Sequence, residues 1–138
     1  MRVAKAANGS DARTVRIRSV TSLNNIKYEE WVAKNREFVE KESNGQIAYV
    51  HIRSMNQPSL ERFQTEIDQL WNKQGIVVDI RYNGGGNIDQ QLIDILERRP
   101  YQFWNSRWGA PTWGRRPRQA IAGPKVMLIN HRSGSDSG

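Results

Sequence analysis

The stretch that most constrains this chain is Ile76-Val77-Val78-Asp79-Ile80, followed closely by Asn83-Gly84-Gly85-Gly86. A strand this continuously apolar has no polar face to give to water, so it must be covered on both sides. Parallel strands joined through helices meet that demand. The neighbouring pattern supplies them. Ile47 to Ile52 reads as a short strand. Asn56-Gln57-Pro58-Ser59 then offers a helix start, and Leu60, Phe63, Ile67, Leu70 and Trp71 a buried stripe ending at Gln74-Gly75. Ile88, Leu92, Ile95 and Leu96 mark a further helix over about 88–98, and Lys125 to Asn130 reads as a second interior strand. From residue 46 onward the order is strand, helix, strand, helix, long excursion, strand. That is an α/β fold with a largely parallel sheet.

The first 45 residues read differently. Residues 1–12 look like a flexible start, with Asn8-Gly9-Ser10-Asp11 as a turn. Thr14 to Val20 alternates apolar and polar, as a half-buried strand does, and no sheet partner is evident. A helix is expected over 27–43, with Tyr28, Trp31, Val32, Asn35, Phe38 and Val39 as its apolar stripe and Asn44-Gly45 as its stop.

Composition narrows the function. The 138 residues suffice for one modest core. No apolar run reaches the roughly 18 residues of a membrane span, and the N-terminus shows no apolar signal segment. No membrane partner is expected, and the compartment stays open with the cytoplasm favoured. The chain has no cysteine and two histidines without ligand-like spacing, so neither a metal nor another cofactor is expected. The formal charge is +7. Six arginines and no acid fall between Arg98 and Arg118, together with Trp104, Trp108 and Trp113. Such a stretch can stack on bases and bind phosphates, wall a substrate groove, or cover a sheet. A nucleic-acid partner is the least favoured of these.

Two loops can carry chemistry. In an open α/β sheet, ligands bind beyond the carboxyl ends of the strands. Parallel neighbours would put residues 83–86 and 133–138 at the same end. Glycines allow close backbone approach, and free N–H groups at a helix start can hold an oxyanion. The run is not a P-loop, since no Gly-Lys-Ser/Thr follows. It could also be only a tight turn. Ser133-Gly134-Ser135-Asp136 follows a strand, as an exposed nucleophile would, and its Ser and Asp are equally ordinary capping residues. A serine nucleophile needs a base. His51 lies on a strand and His131 at a strand end, and spacing assigns neither.

Three blocks resemble the tricorn-type serine peptidases, relatives of the C-terminal processing (tail-specific) peptidases. They are residues 45–52 (Gly-Gln-Ile-Ala-Tyr-Val-His-Ile), 75–87 (Gly-Ile-Val-Val-Asp-Ile-Arg-Tyr-Asn-Gly-Gly-Gly-Asn) and 125–136 (Lys-Val-Met-Leu-Ile-Asn-His-Arg-Ser-Gly-Ser-Asp). The resemblance spans about residues 22–138. It implies a crotonase-like (ClpP-like) core of which residues 46–138 are the front part. Residues 21–45 would be a linker helix, and residues 1–20 a flexible start with the closing strand of a PDZ-like domain. It further implies Ser135 as nucleophile, the backbone N–H of Asp136 as one oxyanion donor, and an N–H of Gly84, Gly85 or Gly86 as the other.

The departures from the family matter too. The tricorn-type catalytic histidine lies upstream of the PDZ-like domain, and the processing peptidases use a lysine downstream of the serine. Neither region is in this sequence, so the chain reads as a fragment without its base and without useful turnover alone. The expected substrate is a peptide, bound by strand addition to a sheet edge. Arg115 and Arg116 are candidates for holding its terminal carboxylate. A homo-oligomer is also expected, since an incomplete sheet invites self-association. The alternatives are a non-catalytic module binding peptides or apolar ligands on the same fold, and a nucleic-acid binder.

Overall fold

The computed structural model describes residues 2–5, 8, 10–16, 21–104, 107 and 114–138. They divide into two compact units, Met1–Glu30 and Trp31–Gly138.

In the first unit, β1 (Arg2–Val3) pairs antiparallel with β2 (Arg13–Thr14). The turn between them is closed by the Asp11 carboxylate, which accepts the Lys5 N–H at 3.0 Å. The start is therefore paired strand where the sequence suggests a flexible lead. Of the expected strand over 14–20, Thr14 is strand and residues 15–16 are not, and residues 17–20 lie outside the described residues.

Helix α1 (Asn24–Glu42) crosses the boundary between the units. It stops at Asn44-Gly45, both at positive φ (51° and 75°), with the Gly45 N–H returning to the Glu40 carbonyl at 2.7 Å. The predicted stripe is buried only at Val32, and Phe38 is 64% exposed. Trp31 packs edge-on against the His51 ring, and polar reach adds to that tie. Arg36 donates to the Tyr49 carbonyl at 3.4 Å and pairs with Glu66 of the next helix at 3.0 Å.

The second unit is built on three parallel strands in the order β3-β4-β7: β3 (Ile47–His51), β4 (Gly75–Asp79) and β7 (Lys125–Leu128). The apolar β4 takes the centre, as its composition demands. Asp79 stands in register with His51 on one side and Leu128 on the other, so all three strands finish level. Two helices pack against this sheet. Helix α2 (Gln57–Gln69) is capped by Asn56, whose side chain accepts the Ser59 N–H at 3.1 Å, and buries Leu60, Phe63 and Ile67. Helix α3 (Asp89–Leu96) buries Leu92 and Ile95. The shared core includes Val50, Ile52, Ile76, Val78 and Ile80.

Two expectations need correction. The excursion read as irregular holds a short antiparallel pair, β5 (Gln102–Trp104) with β6 (Gly114–Arg116). Strand β7 was expected to be interior. It is an edge among the described strands, with Val126 and Met127 more than half exposed.

Candidate active site

The level strand ends bring three loops together at the carboxyl edge of the sheet. The loop after β4 holds Asn83 to Gly86. The loop after β7 holds residues 133–138, and the loop after β3 runs from Ile52 to Met55. The Gly134 N–H donates to the Asn83 carbonyl at 3.2 Å, so the glycine run and the serine loop are in direct contact.

Ser135 opens a single 3-10 turn, Ser135–Ser137, and its φ is +54°. A non-glycine residue in that region is strained, as nucleophiles on sharp turns are. The residue is exposed, and its hydroxyl hydrogen-bonds to none of the described residues. The turn is held from beneath. The Ser137 hydroxyl donates to the Asn83 carbonyl, and the Ser133 hydroxyl donates to the Ile80 carbonyl at 2.8 Å. Asn130 accepts N–H groups from Tyr82 at 3.0 Å and Arg132 at 3.1 Å, joining the same two loops.

The three glycines play different parts. A Cβ at Gly85 would lie 2.5 Å from the Ser135 Cβ and 3.2 Å from the Asp136 nitrogen. The Gly85 backbone thus lies against the serine turn. A Cβ at Gly86 would overlap the Met55 carbonyl, whereas one at Gly84 would meet nothing within 4 Å. Their N–H groups also differ. The Gly85 N–H is bound by the Asn83 side chain at 2.9 Å. The Gly84, Gly86 and Asp136 N–H groups have no bond to the described residues. In a trans peptide the N–H and C=O point opposite ways. The Asn83 carbonyl faces the serine loop, so the Gly84 N–H faces away from it. The Gly85 carbonyl accepts the Met55 N–H at 3.1 Å, on the β3 side, so the Gly86 N–H is directed to the β7 side.

Just before this run sits a buried ion pair. Asp79 is fully buried and accepts from the Tyr49 hydroxyl at 2.7 Å and from the Arg81 backbone N–H at 3.0 Å. Arg81 Nη2 reaches it as well, at 2.6 Å. Burial pushes the Asp79 carboxyl up, but hydrogen bonds from Arg81 and Tyr49 and the Arg81 charge outweigh it and hold it below the usual carboxylate range. Burial and the neighbouring carboxylate push the Tyr49 hydroxyl far up. The Arg81 guanidinium stacks over Trp31 at 5.2 Å.

Neither histidine touches Ser135. His51 is buried, its Nε2 is 3.0 Å from the Arg81 carbonyl, and its ring meets Trp31 edge-on at 4.9 Å. Burial lowers its pKa, so it is neutral at pH 7. His131 is exposed in the turn after β7.

Arg115 and Arg116 are not brought to Ser135. Arg115 stacks over Trp71 at 4.9 Å and donates to the carbonyls of Arg118 and Ala120. Arg116 lies over Trp104 at 5.3 Å. Trp71 follows α2, just before Gln74, whose N–H bonds to the Gln46 carbonyl where β3 and β4 begin. The pair therefore sits at the amino end of the sheet, roughly 16 Å of strand away from the serine loop. An apolar cleft of about 370 Å³ does adjoin that loop, lined by Met55, Leu92, Ile93, Met127 and Ile129 beside Asp136–Gly138. Among the described residues no cluster of three or more His, Asp or Glu suits a metal, and no helix is long and apolar enough to cross a membrane.

Sequence reasoning did not single out Asn83 or Asn130. Asparagine beside a glycine run reads as turn chemistry, and only the three-dimensional pairing reveals what each holds.

Comparisons with known proteins identify the family. Peptidase family S41 matches residues 46–138. The tricorn protease of Thermoplasma volcanium is 35% identical over 80% of this chain. That of Thermoplasma acidophilum is 32% identical over 98% of it. The crystal structure of the tricorn protease superposes with a TM-score of 0.83, at 32% identity over 94% of the chain. The chain spans only 11–12% of the length of these proteins. Since the family model matches residues 46–138 and the Thermoplasma relatives are 32–35% identical over most of the chain, the chain belongs to peptidase family S41.

Proposed function

We propose that this segment carries the nucleophile and oxyanion hole of a serine peptidase. The observation that carries the reading is the exposed Ser135 at φ +54°, packed against Gly85, with the unbonded Asp136 N–H following the serine and the unbonded Gly86 N–H following Gly85. Ser135 Oγ attacks the carbonyl carbon of a peptide bond. Its proton passes to a general base supplied from outside this segment, as the family resemblance implies. The developing oxyanion takes hydrogen bonds from the Asp136 and Gly86 N–H groups, each worth about 10²–10³-fold in rate. Collapse expels the amine, which takes up the proton, and water then hydrolyses the acyl-serine. Of the three glycines, Gly86 is favoured because the Gly85 N–H is occupied and the Gly84 N–H faces away. We further read residues 46–138 as the front part of a crotonase-like core, residues 21–45 as a linker helix, and residues 1–20 as the end of a PDZ-like domain.

A fluorophosphonate probe read by intact mass tests the nucleophile. The segment is grafted in place of its counterpart in the Thermoplasma acidophilum tricorn protease, which returns the missing base. One adduct on this segment is expected, absent from Ser135→Ala. An adduct on the segment that survives Ser135→Ala, or none in either, overturns the reading. The ungrafted chain is expected to show no peptide turnover.

A further inference from the structure

Asn83 has a place in the site that neither nucleophile nor oxyanion donor explains. It is fully buried, and its groups are bonded to three different loops. The side-chain Nδ2 donates to the Ile52 carbonyl at 2.9 Å, in the loop after β3. The side-chain Oδ1 accepts the Gly85 N–H at 2.9 Å, in its own loop. The main-chain carbonyl accepts the Gly134 N–H at 3.2 Å and the Ser137 hydroxyl, in the serine loop.

A run of three glycines has little of its own to fix its peptide planes. Without Cβ atoms, each plane can rotate to present either its N–H or its C=O at small steric cost. Two planes are pinned from outside: the Asn83 carbonyl by the serine loop, and the Gly85 carbonyl by the Met55 N–H. The plane between them, Gly84–Gly85, is held by the Asn83 side chain. The same amide also anchors Ile52, three residues before the Met55 that pins the next plane. An acceptor alone would hold Gly85, and a donor alone would hold Ile52. Only an amide does both without bringing a charge into a buried position.

We propose that Asn83 is a positioning residue that selects which glycine N–H faces the nucleophile. By drawing the Gly85 N–H inward it withdraws that donor, and by anchoring Ile52 it seats the loop whose Met55 N–H turns the Gly85–Gly86 plane so that the Gly86 N–H is the one presented. The inference rests on the reading of Ser135 as nucleophile for its functional meaning. Its structural content stands apart from that reading and is tested separately.

The test is amide hydrogen exchange by NMR on the full chain, wild type and Asn83→Ala. In wild type the Gly85 amide is expected to exchange at least about tenfold more slowly than those of Gly84 and Gly86. In Asn83→Ala that protection is lost, while the β4 amides of Ile76 to Val78 keep theirs. Should Asn83→Ala fail to fold, the wild-type comparison among the three glycines still decides. Equal exchange at all three, or Gly85 protection unchanged in a folded Asn83→Ala, overturns the proposal. In the grafted peptidase, Asn83→Ala is expected to lower kcat by about 10²-fold with KM little changed, the signature of a lost oxyanion contact. A rise in KM with kcat intact would show that the residue only shapes the binding surface. Loss of the Ser135 reading would appear instead as probe labelling that survives Ser135→Ala.

Discussion

Gly84, Gly85 and Gly86 are identical letters with unequal constraints. Gly84 has open space where a Cβ would stand, so Gly84→Ala is expected to change stability by no more than about 0.5 kcal/mol. Gly86→Ala drives a methyl into the Met55 carbonyl, which is backbone and cannot swing aside. Its expected cost exceeds about 2 kcal/mol, read as a shifted urea midpoint. Gly85→Ala is the more informative variant, since its methyl meets the Ser135 Cβ. It is expected to abolish probe labelling in the grafted peptidase, and equal labelling of Gly84→Ala and Gly85→Ala would contradict the packing described. The sequence shows that a glycine run exists but not which members are irreplaceable. That depends on Met55 and Ser135, which lie some 30 residues before the run and 50 after it.

At the scale of elements, the end of β4 is a clamp: Asp79, Arg81 and Tyr49 fix the chain immediately ahead of the glycine run. Because Asp79 titrates below its ordinary value, the folded state binds that proton less tightly than the unfolded chain. The clamp contributes fully above about pH 4 and is lost as pH falls through the folded pKa. His51, also depressed, acts in the same direction at higher pH, so stability begins to decline below about pH 6.5. Denaturant midpoints between pH 3 and 8 check both, and a midpoint that rose on acidification would contradict them. Tyr49→Phe removes one bond to a buried carboxylate and is expected to cost about 1.5–3 kcal/mol. The core strands and α2 were legible because apolar periodicity is a local signal. Strands β5 and β6 were not, because three residues carry no period. In α1 the stripe was legible only in part: Val32 is buried and Trp31 packs on His51, but Arg36 adds bonds that no apolar period announces, and Phe38 stays in water.

For the molecule as a whole, the most consequential surface is β7. Its apolar side chains at Val126 and Met127, with Ile129 just beyond it, are 53–61% exposed at the edge of the described sheet. A bare apolar edge strand templates association. Sedimentation velocity is expected to show mass rising with concentration, and Met127→Lys to suppress it. A monomer at all concentrations would remove that expectation. The sequence identified the strand but placed it in the interior, because composition reports what a strand is suited to and not what stands beside it. The candidate site was half legible for a related reason. Ser135 and the glycine run follow two apolar strands that can be read one at a time, whereas the bonds joining them link Asn83 to Ser137, 54 residues away. That separation also imposes an order in time. A ribosome delivers β3, α2 and β4 well before the serine, and the glycine run can close against Ser135 only after β7 has docked in register. Any partly made or partly melted form lacking β7 therefore holds a glycine loop with no serine turn packed against it.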